Sequence, residues 1–578
     1  MIVKRIILLF SISLAALFAE SSEIPTIQAA DYLIAALEGR DAPESLLPYL
    51  MEIALNGHNL PAEQRQQLEQ LRFDFSRKYV TRLRPGLDNY LDFGQFRIHY
   101  DTTGDHAIST ADSSGVIGIP DYVETVAAAF QRTYFVEVDS MQFTRPPNDA
   151  NTSSSDHFDV YIQNLGQYYY ALTYPDEFVG DNDNSSVTEV NAWTSYMEIR
   201  NNYSGFSNTE EENIQVTAAH EFFHSIQFGY DGWDYGNWEP NELWLLEGTA
   251  VLMEEIVFDD VNDCYQYMPS WFSRPYLSLD LESSHVYGSF IFFQYIYEHL
   301  GGYETIRRIF EWSIIHDSYL HDYSHLEITE ALEPVNSSFQ DALNKMVAAN
   351  LIMSNDAGIY SYEEADSYPV QGLLPIEATI NYLAGDTLSV YNYRLNRFAS
   401  QYFAVNTFSP ILVSLTNQSG PASDLNLLAI LETSNGNYKV LSGNMLNIPN
   451  DYFSINLAVV SQDTLGNNWD FKLFFQPGAP GNFIIPDDFE IALAYPNPFD
   501  PTLDQMTIEI ISRFTQSMAV NIFNITGRNI ISLKNNPIEF GKTRLIWNGR
   551  TSANFPAASG TYIIVATGDQ TTKSKLIT

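Results

Sequence analysis

Beyond residue 376 the apolar side chains recur at every second position, and that change of period constrains the fold more than any other feature of the chain. Between residues 376 and 475 short runs alternate apolar and polar side chains, as at 388–391, 411–415 and 456–460, and Asn, Gly, Ser and Asp break them. A period of two sends one face of each run into a core and the other into water. Many such runs with turn residues between them predict a β-sandwich over 371–476. Pro477-Gly-Ala-Pro-Gly481 then marks a linker over 477–483, and 484–578 reads as a second small all-β unit, with Pro496, Asn497 and Pro498 near its start.

Upstream the period is helical. Ile27, Ala30, Leu33, Ile34 and Leu37 share a helix face, with Gly39 as a stop, and further helical segments run over 46–55 and from Pro61 past Leu68 and Leu71. Residues 20–84 therefore form a helical lead-in or pro-region. From Arg84-Pro85-Gly86 the pattern changes. Strands are expected at 96–100, 158–162 and 195–200, a proline-opened helix at 120–135, and helices around 213–229, 241–257, 285–300 and 303–315. Strands mixed with helices in this order predict an α+β domain over 85–370.

Residues 1–19 have the form of a signal peptide: Lys4 and Arg5, an apolar run from 6 to 17, and a small-residue cleavage pattern at 16–19. Export, to the medium or the cell surface, is the expectation, with no membrane span in the mature chain. The single cysteine, Cys264, excludes an intramolecular disulfide scaffold. Its Asn-Asp-Cys-Tyr setting has no metal-ligand spacing and reads as a structural thiol. The net charge of −43 lies in front of residue 484, since acidic and basic side chains balance after it. Such a surface repels nucleic acid and anionic lipid and argues against both as partners.

The chemistry-bearing motif is His220-Glu-Phe-Phe-His224, in a strongly helical stretch. Histidines four apart stand one turn above each other on one face, so two nitrogens reach one Zn²⁺ while Glu221 faces the reacting water as general base. A chance match on a half-buried helix is the bland alternative. The third ligand of a metzincin, a histidine at 230 with glycine at 227, is absent: these positions are Tyr230 and Gln227. A second helix offers Glu242, Glu247, Glu254 and Glu255. Glu247 is favoured because it sits among apolar residues, where an unpaired carboxylate is costly, and because Gly248 and Ala250 are small enough for two helices to approach. Glu242 suits the dipole at its own helix start, Glu254 is the candidate for orienting a ligand, and one of Glu254 and Glu255 is expected to face solvent.

The pairing of HEFFH with Glu247-Gly-Thr-Ala, after 22 intervening residues, resembles gluzincins, the clan of thermolysin and aminopeptidase N. Residues 86–315 further resemble a little-characterised family of secreted bacterial metallopeptidases, through Phe96-Arg-Ile-His-Tyr100, Ile119-Pro-Asp-Tyr-Val123, Ala218-Ala-His-Glu-Phe-Phe-His-Ser-Ile-Gln-Phe228 and Asp259-Asp-Val-Asn-Asp263. The resemblance implies a zincin-like catalytic domain, zinc on His220, His224 and Glu247, and hydrolysis of extracellular protein or peptide. The aminopeptidase Gly-x-Met-Glu-Asn signature is absent, Tyr196-Met-Glu-Ile-Arg-Asn201 being a faint echo, so endopeptidase action is the expectation. The clan also supplies an oxyanion donor from a later helix, for which Tyr287 is the candidate and His285 the second. With 36 tyrosines in the chain, a core or surface role competes. Asp181-Asn-Asp-Asn184 offers oxygen ligands of the kind Ca²⁺ takes, without EF-hand spacing, and a solvated polar loop is the plainer reading.

The tail resembles the C-terminal sorting domain of the type IX secretion system, an immunoglobulin-like module related to flagellar hook-capping proteins. The residues concerned are Ala494-Tyr-Pro-Asn-Pro-Phe-Asp-Pro501, Val520-Asn-Ile-Phe-Asn-Ile-Thr-Gly527, Leu545-Ile-Trp-Asn-Gly549 and Ser559-Gly-Thr-Tyr562. The expectation is that prolines open the first strand, Gly527 turns a hairpin, and Trp547 and Tyr562 fill the core, with secretion machinery as partner. The competing function is a surface adhesion or scaffold protein whose peptidase-like domain is inactive.

Overall fold

The computed structural model describes residues 26–40, 45–113, 115–148, 156–166, 169–236, 242–281, 283–316, 323–464, 468–479, 488–501, 505–512, 515–538, 541–569 and 571–578. The expected signal at 1–19, and 480–483 of the expected linker, lie outside them. The described residues form two compact units. The first holds residues up to Phe272, Leu279–Leu343 and Ser367–Val370; the second holds Ser273–Ser278, Asn344–Asp366 and Gln371–Thr578.

The first unit opens with helices α1 (Thr26–Leu37), α2 (Leu47–Asn56) and α3 (Ala62–Gln70), then a ribbon of β1 (Phe73–Asp74) and β2 (Thr81–Arg82). Of the apolar face read from the sequence, Ala30, Leu33 and Ile34 are at most 3% exposed, while Leu37 is half-buried and Ile27 at the helix start is exposed; Ala29 and Ala36 complete the buried side. A five-stranded sheet follows, built from β3 (Asn89–Phe93), β4 (Phe96–Tyr100), β5 (Phe158–Gln163), β6 (Ala171–Gly180) and β7 (Ala192–Arg200). Its order is β3-β4-β5-β7-β6. The three central strands are parallel and both edges antiparallel. The link from β4 to β5 runs through helix α4 (Asp121–Tyr134), whose N-cap is Pro120. Sequence periodicity did not show β6. Pro175 interrupts it, and proline lacks the ladder donor, so such a strand survives at a sheet edge.

Helix α5 (Glu210–Asp231) crosses beneath this sheet and carries HEFFH. Its start is sharply defined. The Thr209 side chain accepts from Glu212 N, the Glu212 carboxylate accepts from Thr209 N, and three glutamates in the first turn suit the helix dipole. Phe222 faces the strands, its ring centroid 5.2 Å from Phe96 and 5.4 Å from Phe158. Phe130 of α4 lies 5.2 Å from Phe96. Each such buried ring contributes roughly 1.5–3 kcal/mol, enough together to hold α5 at a fixed height under the sheet.

Helix α6 (Leu243–Val257) packs on α5 and is followed by α7 (His285–Gly288), α8 (Phe290–His299), α9 (Tyr303–Ser313) and α10 (Ser324–Leu332). A last helix is Phe339–Ile352. Gly248 plays a different part from the one expected. A Cβ there would meet Phe293 Cε2 at 2.8 Å, so the missing side chain admits α8.

In the second unit, the described strands from Ile376–Tyr382 to Trp469–Pro477 form a five-stranded and a four-stranded sheet. Phe403, Leu427 and Leu457 of one sheet share a core with Val413, Phe471 and Leu473 of the other. The described strands from Phe489–Tyr495 to Thr572–Ile577 form a three-stranded and a four-stranded sheet around Ile508, Val520, Trp547 and Ile564. Trp547 and Tyr562 meet in that core at 5.4 Å, and Gly527 turns the hairpin with φ +80°. Pro496 and Pro498 follow the first strand and do not open it. The molecule is thus multidomain: a helical lead-in, a mixed α/β region, then β-sandwich-like sheets. No helix among the described residues is long and apolar enough to cross a membrane.

Candidate metal centre

The helical repeat sets the two histidines one above the other, with ring centroids 4.7 Å apart and planes at 83°. Packing of α6 on α5 brings Glu247 to them. Its Oε2 lies 3.2 Å from His220 Nε2 and 3.6 Å from His224 Nε2. One ligand atom from each of the three residues falls within a sphere of mutual separations under 4.8 Å. Bonds of ~2.1 Å to a tetrahedral cation imply ligand–ligand separations of about 3.4 Å, and the two measured values bracket that figure. Glu247 is 2% exposed.

The far side of each imidazole fixes which nitrogen carries the hydrogen. Gln227 Nε2 donates to Leu246 O at 2.9 Å and to Thr249 Oγ1 at 3.1 Å. Its Oε1 therefore faces His224 Nδ1, at 2.8 Å, and can only accept. His220 Nδ1 meets Glu254 Oε1 at 2.7 Å, again an acceptor. Both Nδ1 atoms thus carry hydrogen, and both Nε2 lone pairs turn to the Glu247 carboxylate. Three acceptors facing one another repel unless a cation or a proton sits among them. The donor set fits Zn²⁺ in number, type and separation. Without metal a proton serves: burial opposes a charge on His220, but bonds from Glu247 and Glu254 outweigh it and raise its pKa well above the ordinary value. Burial likewise works against the Glu247 carboxylate, and the two histidines overcome it, holding its pKa well below the usual range. Glu254 has less help, and burial pushes it up to about 7.

Glu221 lies next to His220 on α5 with its carboxylate toward β6. Thr173 Oγ1 lies 2.5 Å from Glu221 Oε2 and 3.0 Å from Glu221 O. A hydroxyl has one proton, and the shorter contact to the charged oxygen claims it. Thr173 was outside the sequence reading because β6 itself was.

Tyr287, on α7, has its ring centroid 6.3 Å from that of His220 and is stacked on Tyr267 at 5.2 Å. His285, the second candidate, is buried and stacks on Trp271 at 5.8 Å. Glu242 is fully buried, and its Oε1 accepts from Tyr323 N at the start of α10; it serves that helix end as well as its own position before α6. Neither Glu254 nor Glu255 faces solvent, at 4% and 7% exposure. Glu255 Oε2 accepts from the Cys264 thiol, which burial keeps protonated. In the 181–184 loop, Asn182 and Asn184 donate to the carbonyls of Arg145 and Pro146, and Asp181 accepts from Glu189 N.

No family model matches the chain, and no curated protein does. Solved structures that match include PorZ, described as an essential bacterial surface component of the type IX secretion system of Porphyromonas gingivalis. It is 29% identical over 18% of this chain and 13% of its own, with a TM-score of 0.13. Dimeric latent PorU of the same organism is 15% identical over 36% of this chain and 19% of its own, at 0.14. The Endo-D glycoside hydrolase domain of Spr0440 from Streptococcus pneumoniae R6 is 9% identical over 34% of each chain, at 0.10. This chain spans between 13% and 34% of the length of each.

Proposed function

We propose that the chain is a secreted zinc metallopeptidase of the gluzincin type, acting as an endopeptidase on extracellular protein or peptide. The observation that carries this reading is the convergence of His220 Nε2, His224 Nε2 and Glu247 Oε2 with both Nδ1 atoms already committed elsewhere. Zinc, when bound, supplies Lewis-acid activation of water and of the scissile carbonyl. Glu221 takes the proton of the attacking water on its carboxylate and returns it to the leaving amine. Thr173 holds that carboxylate in one orientation. Gln227 and Glu254 fix the imidazoles so that their Nε2 atoms face inward. Tyr287 donates its phenol to the developing oxyanion. The tail, through the residues that resemble a sorting domain, directs the protein through type IX secretion machinery to the surface or medium.

The decisive experiment pairs metal analysis with casein digestion. Glu221→Gln should keep about one zinc per chain and lose digestion by at least a thousandfold, because an amide cannot take the proton. His224→Ala should lose both. Turnover near wild type in Glu221→Gln would remove the general base, and wild-type protein that binds zinc yet cleaves nothing would favour the scaffold reading.

A further inference from the structure

On the face of the sheet away from the metal centre lies a cavity of about 400 Å³, within the range of small-molecule sites. The faces follow from alternation along β6: Thr173 bonds Glu221, so Leu172 and Tyr174 point the other way. Glu198, paired in register with Leu172, shares that side. The cavity sits outside the carboxyl ends of the parallel strands β5 and β7 and is closed by the lead-in, a common place for ligands in such sheets.

Its charge is out of balance. Arg72 Nη2 and Arg82 Nη1 both bond the same oxygen, Glu198 Oε1, at 2.6 and 2.7 Å. Glu38, which also lines the cavity, is paired with Arg40 at 2.6 Å. Two guanidiniums on one carboxylate leave an excess positive charge, in a chain of net charge −43. A second observation points the same way. Gln163, at the end of β5, is 5% exposed, and its Nε2 has no hydrogen-bond partner among the described residues. Leu172 and Tyr169 add an apolar patch to a wall that His106 and Asn164 otherwise keep polar.

We propose that this cavity is a second ligand site, taking a small carboxylate of about dipeptide size. The carboxylate lies against the fork of Arg72 and Arg82, whose planar donors match it in pairs. With its amide turned toward the cavity, Gln163 donates to an amide carbonyl of the ligand, and the apolar part lies against Leu172 and Tyr169. The site is independent of the metal centre.

Calorimetric titration of the full chain with N-acetyl-dialanine, its C-terminal amide and inorganic phosphate tests the assignment. The acid should bind saturably, with the amide at least tenfold weaker. Arg72→Gln leaves Arg82 on Glu198 and should weaken the acid about tenfold; Gln163→Leu should weaken it several-fold while far-UV circular dichroism stays unchanged. His224→Ala should bind it as the parent does. Equal binding of acid and amide, indifference to both cavity substitutions, or loss of binding in His224→Ala would overturn the site. Phosphate binding as tightly as the acid would overturn its carboxylate class.

Discussion

With the Thr173 hydroxyl 2.5 Å from Glu221 Oε2, the carboxylate is held by a charge-assisted bond that an isosteric side chain cannot make. Thr173→Val should therefore lower casein hydrolysis about tenfold, ~1.4 kcal/mol, with zinc content unchanged. An unaltered rate would separate Thr173 from the chemistry. Glu254 gives a test by pH. Burial raises its pKa from 4.5 to about 7, so the folded chain binds the proton more tightly than the unfolded one. That contribution is full below pH 4.5 and is lost as pH rises through 7. The raised His220 acts in the same direction above its ordinary value of 6.5, while the lowered Glu247 changes its contribution only below 4.5. The metal-free chain should thus lose melting temperature between pH 5 and 8, and Glu254→Gln should flatten that slope. A slope identical in both proteins would remove Glu254 as its source.

At the scale of elements, the candidate centre is a joint between α5 and α6. Gln227 of α5 reaches Leu246 O and Thr249 Oγ1 of α6 while holding His224, so ligand geometry and helix packing depend on one amide. Glu247→Ala should weaken zinc binding by more than a hundredfold, since it removes the proposed third ligand. Glu242→Ala should leave zinc affinity within about threefold and instead lower thermal stability, because its carboxylate serves Tyr323 N. Equilibrium dialysis against a zinc buffer distinguishes them, and equal losses of affinity would take the third ligand away from Glu247. The histidine spacing was legible from one helix repeat. Which glutamate closes the set was less so: Gly248, expected where α6 approaches HEFFH, admits Phe293 of α8.

Across the first unit, the lead-in belongs to the five-stranded sheet by charge as well as by packing. Arg84 bonds both Asp159 and Asp176, and Arg72 and Arg82 bond Glu198, three carboxylates at most 4% exposed. Removing one partner of a buried pair costs about 3–5 kcal/mol. Arg84→Met should lower the melting temperature of this unit by roughly 5–10 °C, followed by circular dichroism at 222 nm. A change under a degree would mean that the lead-in is dispensable to the sheet. By itself the sequence determined what local periodicity controls: the helices of the lead-in, α5 and α6, the alternating strands after 376, and the face shared by His220 and His224. It did not show β6, because Pro175 breaks the run and only pairing with β7 makes a strand of it. Nor did it show Thr173 on Glu221, Gln227 on His224, or the arginine pair on Glu198, whose partners stand 48, 3 and more than 100 residues apart. The two long-range contacts depend on which faces of sheet and helix meet. The short one depends on the hydrogen bonds that α6 makes to the far end of the amide. Those are properties of the packed chain.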